Sequence, residues 1–216
     1  MKIATAGTGK MAKALARRWA DAGHAVCLGS RDAGKARAAA DEIGNGVLGA
    51  TNDDAIAAAD VAFWTIRGVY PTRVLDDVSP LAGKLVLDCN NSVIPDGFAF
   101  DPIETSLAES LQADVPDARV VKFVNTIAAE AFNHPADRLR TMNVTCYLAG
   151  DDAEARTLGA NLAQDVGLQP LDCGPLRQAR LIEGLGDFVR WVMIGLDHGL
   201  YTAISTFPIP EPETAA

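Results

Sequence analysis

The chain has 216 residues, 49% of them hydrophobic, which fits one α/β domain with a small annex and leaves no room for a disordered reading. Its formal net charge of −9 excludes the basic face with which a nucleic-acid binder displaces counterions.

Residues 2–6 form a short β-type run that breaks into Gly7-Thr8-Gly9. From Lys10, Met11, Ala14, Leu15 and Trp19 recur at three- and four-residue spacing, predicting a helix that closes near Gly23. The alternation continues with a strand at 25–28, an alanine-rich helix at 33–43, a strand at 47–50, a helix at 53–59 and a buried strand at 61–66. Helix is expected at 70–78 after Pro71, then strand at 85–89, helix at 106–111, strand at 119–124 and a short helix at 127–132. A strand at 144–149, a helix at 153–165, a strand at 169–172 and a long apolar helical stretch at 176–204 close the fold. The tail 208–216, with three prolines and two glutamates, reads as disordered.

Strands alternating with helices of this length predict a doubly wound, mainly parallel α/β sheet of Rossmann type with a small C-terminal helical part. The last stretch has Phe188, Val189, Trp191, Val192, Met193, Ile194 and Leu196 nearly all round the helix. Such a surface must be covered, and a homodimer interface is the natural place for it. Arg190, Asp197 and His198 make the same stretch too polar to span a bilayer. With no targeting segment apparent and no CxxC pair, Cys27, Cys89, Cys146 and Cys173 read as reduced thiols of a cytoplasmic protein.

Gly7-Thr8-Gly9-Lys10-Met11-Ala12 has the G-x-G-x-x-A form, between a strand and an amphipathic helix. Gly7 permits the tight turn, Gly9 lets the backbone approach a pyrophosphate, and Ala12 is small enough for close helix–strand packing. Free N–H groups at the helix start then attract phosphate. An NAD binder usually carries an acidic residue at the end of the second strand. Here Ser30-Arg31 stands there, with Lys35 one turn into the next helix. One hydroxyl and two cations suit a 2′-phosphate, so NADP(H) is the expected cofactor, although Asp32 leaves a displaced acidic residue open.

These residues, together with a C-terminal run, resemble the coenzyme F420-dependent NADP oxidoreductases. That run comprises Ala149-Gly150-Asp151-Asp152, the stretch 167–176 and Ala179-Arg180-Leu181-Ile182-Glu183. The resemblance implies NADPH exchanging a hydride with a deazaflavin, and it places Thr8, Gly9, Lys10, Met11, Ser30, Arg31 and Lys35 on NADP. It sets Ile127 and Ala128, after Asn125-Thr126, beside the nicotinamide. The soluble domains of membrane metalloreductases, which pair NADPH with a flavin, share the Asn-Thr-Ile turn. The characterised coenzyme F420 enzymes instead have His-Thr-Ile, and tend to have a proline after the fourth strand where this chain has Arg67-Gly68-Val69-Tyr70, so the expected acceptor is F420 or a flavin. The expected division is an NADP-binding unit at 1–135, a C-terminal extension at 136–207 carrying the acceptor site and a dimer contact, and the tail.

Hydride transfer needs no protein nucleophile and no metal; the protein holds two rings together and excludes water. Three strand ends converge on the expected site: Thr65-Ile66-Arg67, Cys89-Asn90-Asn91-Ser92 and Asn125-Thr126-Ile127. The asparagines either bond the nicotinamide, its ribose or the acceptor, or cap loops. Arg67 either anchors an anionic acceptor or is solvated. Two alternatives stand beside this reading. One is direct reduction of an imine or carbonyl, with Tyr70, Thr126 or His198 as proton source. The other is a non-enzymatic NADP sensor.

Overall fold

In the computed structural model, which describes residues 1–210, the eight apolar runs become eight strands. Six form one parallel sheet in the order β3-β2-β1-β4-β5-β6: β1 Lys2–Ala6, β2 Ala25–Ser30, β3 Leu48–Thr51, β4 Val61–Trp64, β5 Leu85–Asp88 and β6 Arg119–Lys122. The strand order reverses between β1 and β4, which opens a crevice at their carboxyl ends. Register puts those ends in one row: Ala6 pairs with Gly29 and Trp64, Trp64 with Asp88, and Asp88 with Lys122. The loops beginning at Gly7, Thr65, Cys89 and Phe123 therefore leave the sheet side by side.

The helices are α1 Lys10–Asp21, α2 Ala33–Ile43, α3 Asn52–Ala57, α4 Leu107–Asp114, α5 Ala136–Thr141, α6 Ala153–Asp165 and α7 Ala179–Arg190. Central strands are buried on both faces, as their unbroken apolar runs require. On one face the Trp19 ring of α1 meets Phe63 edge-on at 5.3 Å and stacks on Phe123 at 6.2 Å. Its indole N–H donates to the Leu162 carbonyl of α6 at 3.1 Å, so the apolar ring is buried without orphaning its polar tip. The other face packs Ala62, Trp64, Val86 and Val120 against Leu111 and Ile182.

The C-terminal part adds a separate two-stranded parallel sheet of β7 Thr145–Leu148 and β8 Gln169–Asp172. A single antiparallel bridge from Lys122 to Ala149 joins it to the edge of the main sheet.

Three expected helices differ. Residues 70–78 hold only a 3-10 turn, Pro71–Arg73, because Val74 leaves the helical region at φ −121°. Ile127 is in no helix, and a 3-10 turn forms two residues later at Ala129–Asn133. The stretch 176–204 is broken: a 3-10 turn Leu176–Gln178, α7, and a π-turn Trp191–Gly195. Positive φ at Asp197 and Gly199 then ends it, and the chain returns so that Ala203 bridges Ile127. Nor is its apolar surface fully covered: Val189 and Met193 are buried, while Phe188, Trp191, Ile194 and Leu196 are exposed. Within the expected tail, Pro208–Pro210 are exposed and in no helix or strand; residues 211–216 lie outside the described residues.

Candidate active site

Gly7 has φ +101°, and a Cβ there would stand 2.8 Å from Thr65 Oγ1, so the turn admits only glycine on both counts. Its N–H donates to the Gly29 carbonyl at 3.0 Å. Gly9 caps α1 without a side-chain bond, and no acidic residue occupies the first turn. The first helical bond runs from Lys13 N–H to the Gly9 carbonyl. The N–H groups of Lys10, Met11 and Ala12 therefore have no partner within the helix, and all three residues line a cavity with Gly9. Unpaired N–H groups at the positive end of a 12-residue helix attract phosphate oxygens.

At the end of β2, Asp32 is the N-cap of α2, its Oδ1 accepting from the Gly34 and Lys35 N–H groups at 2.8 and 3.3 Å. Its own N–H donates to Ser30 Oγ at 3.2 Å. Arg31 and Lys35 are exposed, and neither takes part in an ion pair among the described residues. Ser30, Arg31 and Lys35 do not line the cavity. They stand one strand away, where the adenosine ribose of a dinucleotide lies in this sheet type.

The cavity itself measures about 630 Å³. Besides the α1 terminus it brings together Thr65, Arg67, Asn90, Asn91, Asn125, Ile127 and Ala128. Thr8, Ile66 and Thr126 do not reach it; Thr126 is buried and the other two are half-buried. Thr65 Oγ1 is held by the Ala6 carbonyl at 2.6 Å. Asn91 and Asn125 clasp each other: Asn91 Nδ2 donates to the Asn125 carbonyl at 3.1 Å, and Asn125 Nδ2 donates to Asn91 Oδ1 at 2.5 Å. Asn125 Oδ1 is then left buried with no partner among the described residues. An acceptor orphaned at a cavity wall costs free energy until a ligand N–H or O–H meets it. Val124, just before it, holds φ +45°, a conformation that a β-branched residue adopts only under constraint.

At the rim, Lys10 pairs with Glu130 at 2.7 Å; the hydrogen bond raises the lysine pKa and lowers that of the glutamate. Burial pushes the Cys89 thiol up to about 12, with the Asp88 charge adding to it, which favours the protonated thiol. Among the described residues no three His, Cys, Asp or Glu side chains gather as a metal-binding group.

A family model described as NADP oxidoreductase, coenzyme F420-dependent, matches residues 2–92, from β1 through the Asn90-Asn91 loop. An F420-dependent NADP reductase of Methanothermobacter marburgensis is 34% identical over 207 residues, covering 85% of this chain and 88% of that one. The chain belongs to the coenzyme F420-dependent NADP oxidoreductase family. Human Metalloreductase STEAP2 is 29% identical over 85% of this chain, which corresponds to 35% of its own length. A crystal structure assigned as an F420-dependent NADP reductase from Arthrobacter sp. FB24 superposes with a TM-score of 0.80 at 27% identity, over 96% of this chain and all of that one.

In this NADP oxidoreductase family member the cavity has a wall from the C-terminal extension, whose individual residues the sequence motifs do not single out. Val189, Arg190, Met193, Ile194 and Leu200, all from the C-terminal stretch, form one wall of the cavity. Arg190 is held by Asp187 and by the Ser92 carbonyl at 2.6 Å, with its guanidinium 5.3 Å from the Phe100 ring centre. The i,i+3 pair Asp187–Arg190 in the second half of α7 was the available signal. The C-terminal run that carries the family resemblance is largely a brace. Asp151 Oδ1 accepts from the Leu176 N–H at 2.9 Å, and Arg180 grips Glu109 through two bonds of 2.8 and 2.7 Å. Those bonds hold the Glu109 carboxyl far below the usual range, at about 2. No helix among the described residues is long and apolar enough to cross a membrane.

Proposed function

We propose that this family member transfers a hydride between NADP(H) and a deazaflavin (coenzyme F420) or flavin ring. The observation that carries the reading is the shape and lining of the cavity at the α1 terminus. It starts at phosphate-attracting N–H groups, passes the orphaned Asn125 acceptor, and continues to an apolar wall of Ile94, Val189, Met193 and Ile194. That sequence of surfaces matches a phosphate, a carboxamide-bearing ring and a second flat ring.

Gly7, Thr8, Gly9, Lys10 and Met11 cradle the pyrophosphate, and Ser30, Arg31 and Lys35 hold the 2′-phosphate. Thr65, Ile66, Asn90 and Asn91 shape the nicotinamide ribose pocket. Asn125, Thr126, Ile127 and Ala128 orient the nicotinamide, with Asn125 Oδ1 accepting a carboxamide N–H. NADPH supplies the hydride itself; the chain's contribution is to hold the two rings in van der Waals range and keep water out. In this reading, residues 1–135 bind NADP and 136–207 contribute the acceptor wall, in a protein working in the cytoplasm with its four cysteines unpaired.

Arg67 lines the cavity as an exposed cation without an ion-pair partner among the described residues. Arg67→Ala is expected to raise the acceptor KM about tenfold, the loss of one charge-assisted hydrogen bond, with NADPH affinity nearly intact. Steady-state kinetics with the acceptor varied checks this, and an unchanged acceptor KM removes Arg67 from the acceptor site. The uncovered Phe188, Trp191 and Leu196 are expected to be buried in a homodimer. Sedimentation of wild type and of Phe188→Lys/Leu196→Lys should show a dimer and a monomer; a wild-type monomer contradicts it.

Direct reduction of an imine or carbonyl has less support. It needs a positioned proton donor, and Tyr70, Thr126 and His198 all lie outside the cavity lining. Family membership displaces the non-enzymatic sensor. Anaerobic turnover of NADPH against F420, FMN, FAD and a cyclic imine distinguishes the readings: oxidation with a deazaflavin or flavin supports the proposal, and oxidation with the imine alone refutes it.

A further inference from the structure

Lys122 ends β6 with its side chain at 0% exposure, and nothing in the hydride-transfer scheme above uses it. A buried ammonium persists only when its three protons find acceptors. Here all three do. Nζ donates to Asp88 Oδ2 at 2.8 Å, to Glu183 Oε1 at 2.7 Å and to the Asn90 carbonyl.

The three partners are themselves tied into the site. Asp88 Oδ1 accepts both from the Asn90 backbone N–H at 3.1 Å and from its side-chain amide at 2.8 Å. Glu183 also accepts from the Leu107 and Ala108 N–H groups at 2.9 and 3.2 Å, in the first turn of α4. One ammonium thus joins the ends of β5 and β6, the start of α4 and the first half of α7, and Asn90 is fixed by that knot through its carbonyl, N–H and side chain.

From Glu183 the same face of α7 runs along the 89–92 loop at three- and four-residue spacing. Gly186 packs on Asn91 and Asn125, while Asp187 and Arg190 hold Ser92. Val189 and Met193, farther along, form the cavity wall. The knot therefore sets both the loop on one side of the cavity and the helix on the other. Lys122 and Glu183 line no part of the cavity themselves. The sheet does not depend on them for pairing, since β5 and β6 keep their own ladder from Leu85–Arg119 to Asp88–Lys122. The Ser30–Arg31–Lys35 corner lies on the far side of β1, beyond β4 and β5 in the strand order.

We infer that Lys122 and Glu183 are positioning residues for the nicotinamide half of the cofactor, acting through Asn90, Asn91 and the placement of α7. The inference rests on NADP(H) occupying the cavity as proposed above. A loop displaced by about an ångström at such a site costs on the order of a hundredfold in rate and a lesser factor in affinity.

The test titrates the full chain with two probes, NADPH and adenosine 2′,5′-bisphosphate, the second carrying the adenosine phosphates without the nicotinamide. Glu183→Gln keeps an oxygen for the α4 N–H groups while removing one of the two charges that hold Lys122; Lys122→Met removes the ammonium. In both variants the bisphosphate Kd is expected to stay within about twofold of wild type while the NADPH Kd rises about tenfold, the effect of one lost hydrogen bond on the nicotinamide side. Should Lys122→Met fail to fold, Glu183→Gln carries the test alone. Equal weakening of both probes together with a lowered Tm would show a purely structural role and overturn the inference, as would no change in either. A wild-type protein that binds neither probe would instead remove the NADP reading on which the inference stands.

Discussion

Alanine at both Arg31 and Lys35 is expected to raise the Kd for NADPH about a hundredfold and to leave that for NADH within about threefold, since each charge-assisted contact to a phosphate dianion contributes roughly 1.5–3 kcal/mol, less screening by salt. The substitution is unusually clean. Both side chains are exposed, and the α2 cap they flank is made by Asp32, which stays. Fluorescence titration with both coenzymes, beside a Tm, checks it. Equal weakening of NADPH and NADH, or none, would show that this corner does not read the 2′-phosphate.

Gly186→Ala should damage the site with a single added methyl group. A Cβ at Gly186 would overlap Asn125 Nδ2 and stand 2.5 Å from Asn91 Oδ1, closer than real Cβ contacts allow. Alanine is otherwise the better helix former by about 1 kcal/mol, and Gly186 has ordinary helical backbone inside α7. Any loss therefore comes from the clash, which must part α7 from the clasped asparagines. Overpacking of this kind costs about 1–3 kcal/mol, and the shift of the cavity wall should lower kcat about a hundredfold. Thermal melts and turnover measured together test this. A Gly186→Ala protein as active as wild type, with an equal or higher Tm, would mean that α7 does not sit on the Asn91–Asn125 pair.

The parts of the fold that the sequence predicted well are those where local pattern and tertiary role coincide. The β1–α1–β2 unit is one: the apolar run, the glycines and the spacing of Met11, Ala14, Leu15 and Trp19 all describe one arrangement. The failures have local causes. Residues 70–78 have a proline at a helical start, but Val74 and Val78 are poor helix formers, and the chain crosses from β4 to β5 through 3-10 turns instead. The stretch 176–204 was read as one helix because apolar residues run through it. Gly195 and Gly199 were the warning: Gly195 lies against the Trp191 ring, and Gly199 takes φ +80° to turn the chain back.

The site divides in the same way. The glycine loop and the Ser30–Arg31–Lys35 corner are contiguous motifs, and a single segment reports them. Asn90, Asn91, Asn125 and Arg67 were visible as polar residues after apolar strands, though their mutual clasp was not. Lys122 was invisible. A lysine at a strand end ordinarily points to solvent, and its burial depends on acceptors at positions 88, 90 and 183 that only the fold gathers. Arg190 was noticed only as a charge that argued against a membrane span, whereas it holds the Ser92 turn beside the cavity.

If a hydride passes from NADPH to a flat ring bound against the α7 wall, anaerobic stopped-flow mixing of the NADPH complex with coenzyme F420 and, in parallel, with FMN and FAD will show it. NADPH absorbance should fall in step with reduction of at least one of these rings, slowed by deuterium on the transferred position, with NADH far less effective. NADPH bound tightly but oxidised by none of the three rings, or NADH serving equally well, would contradict it.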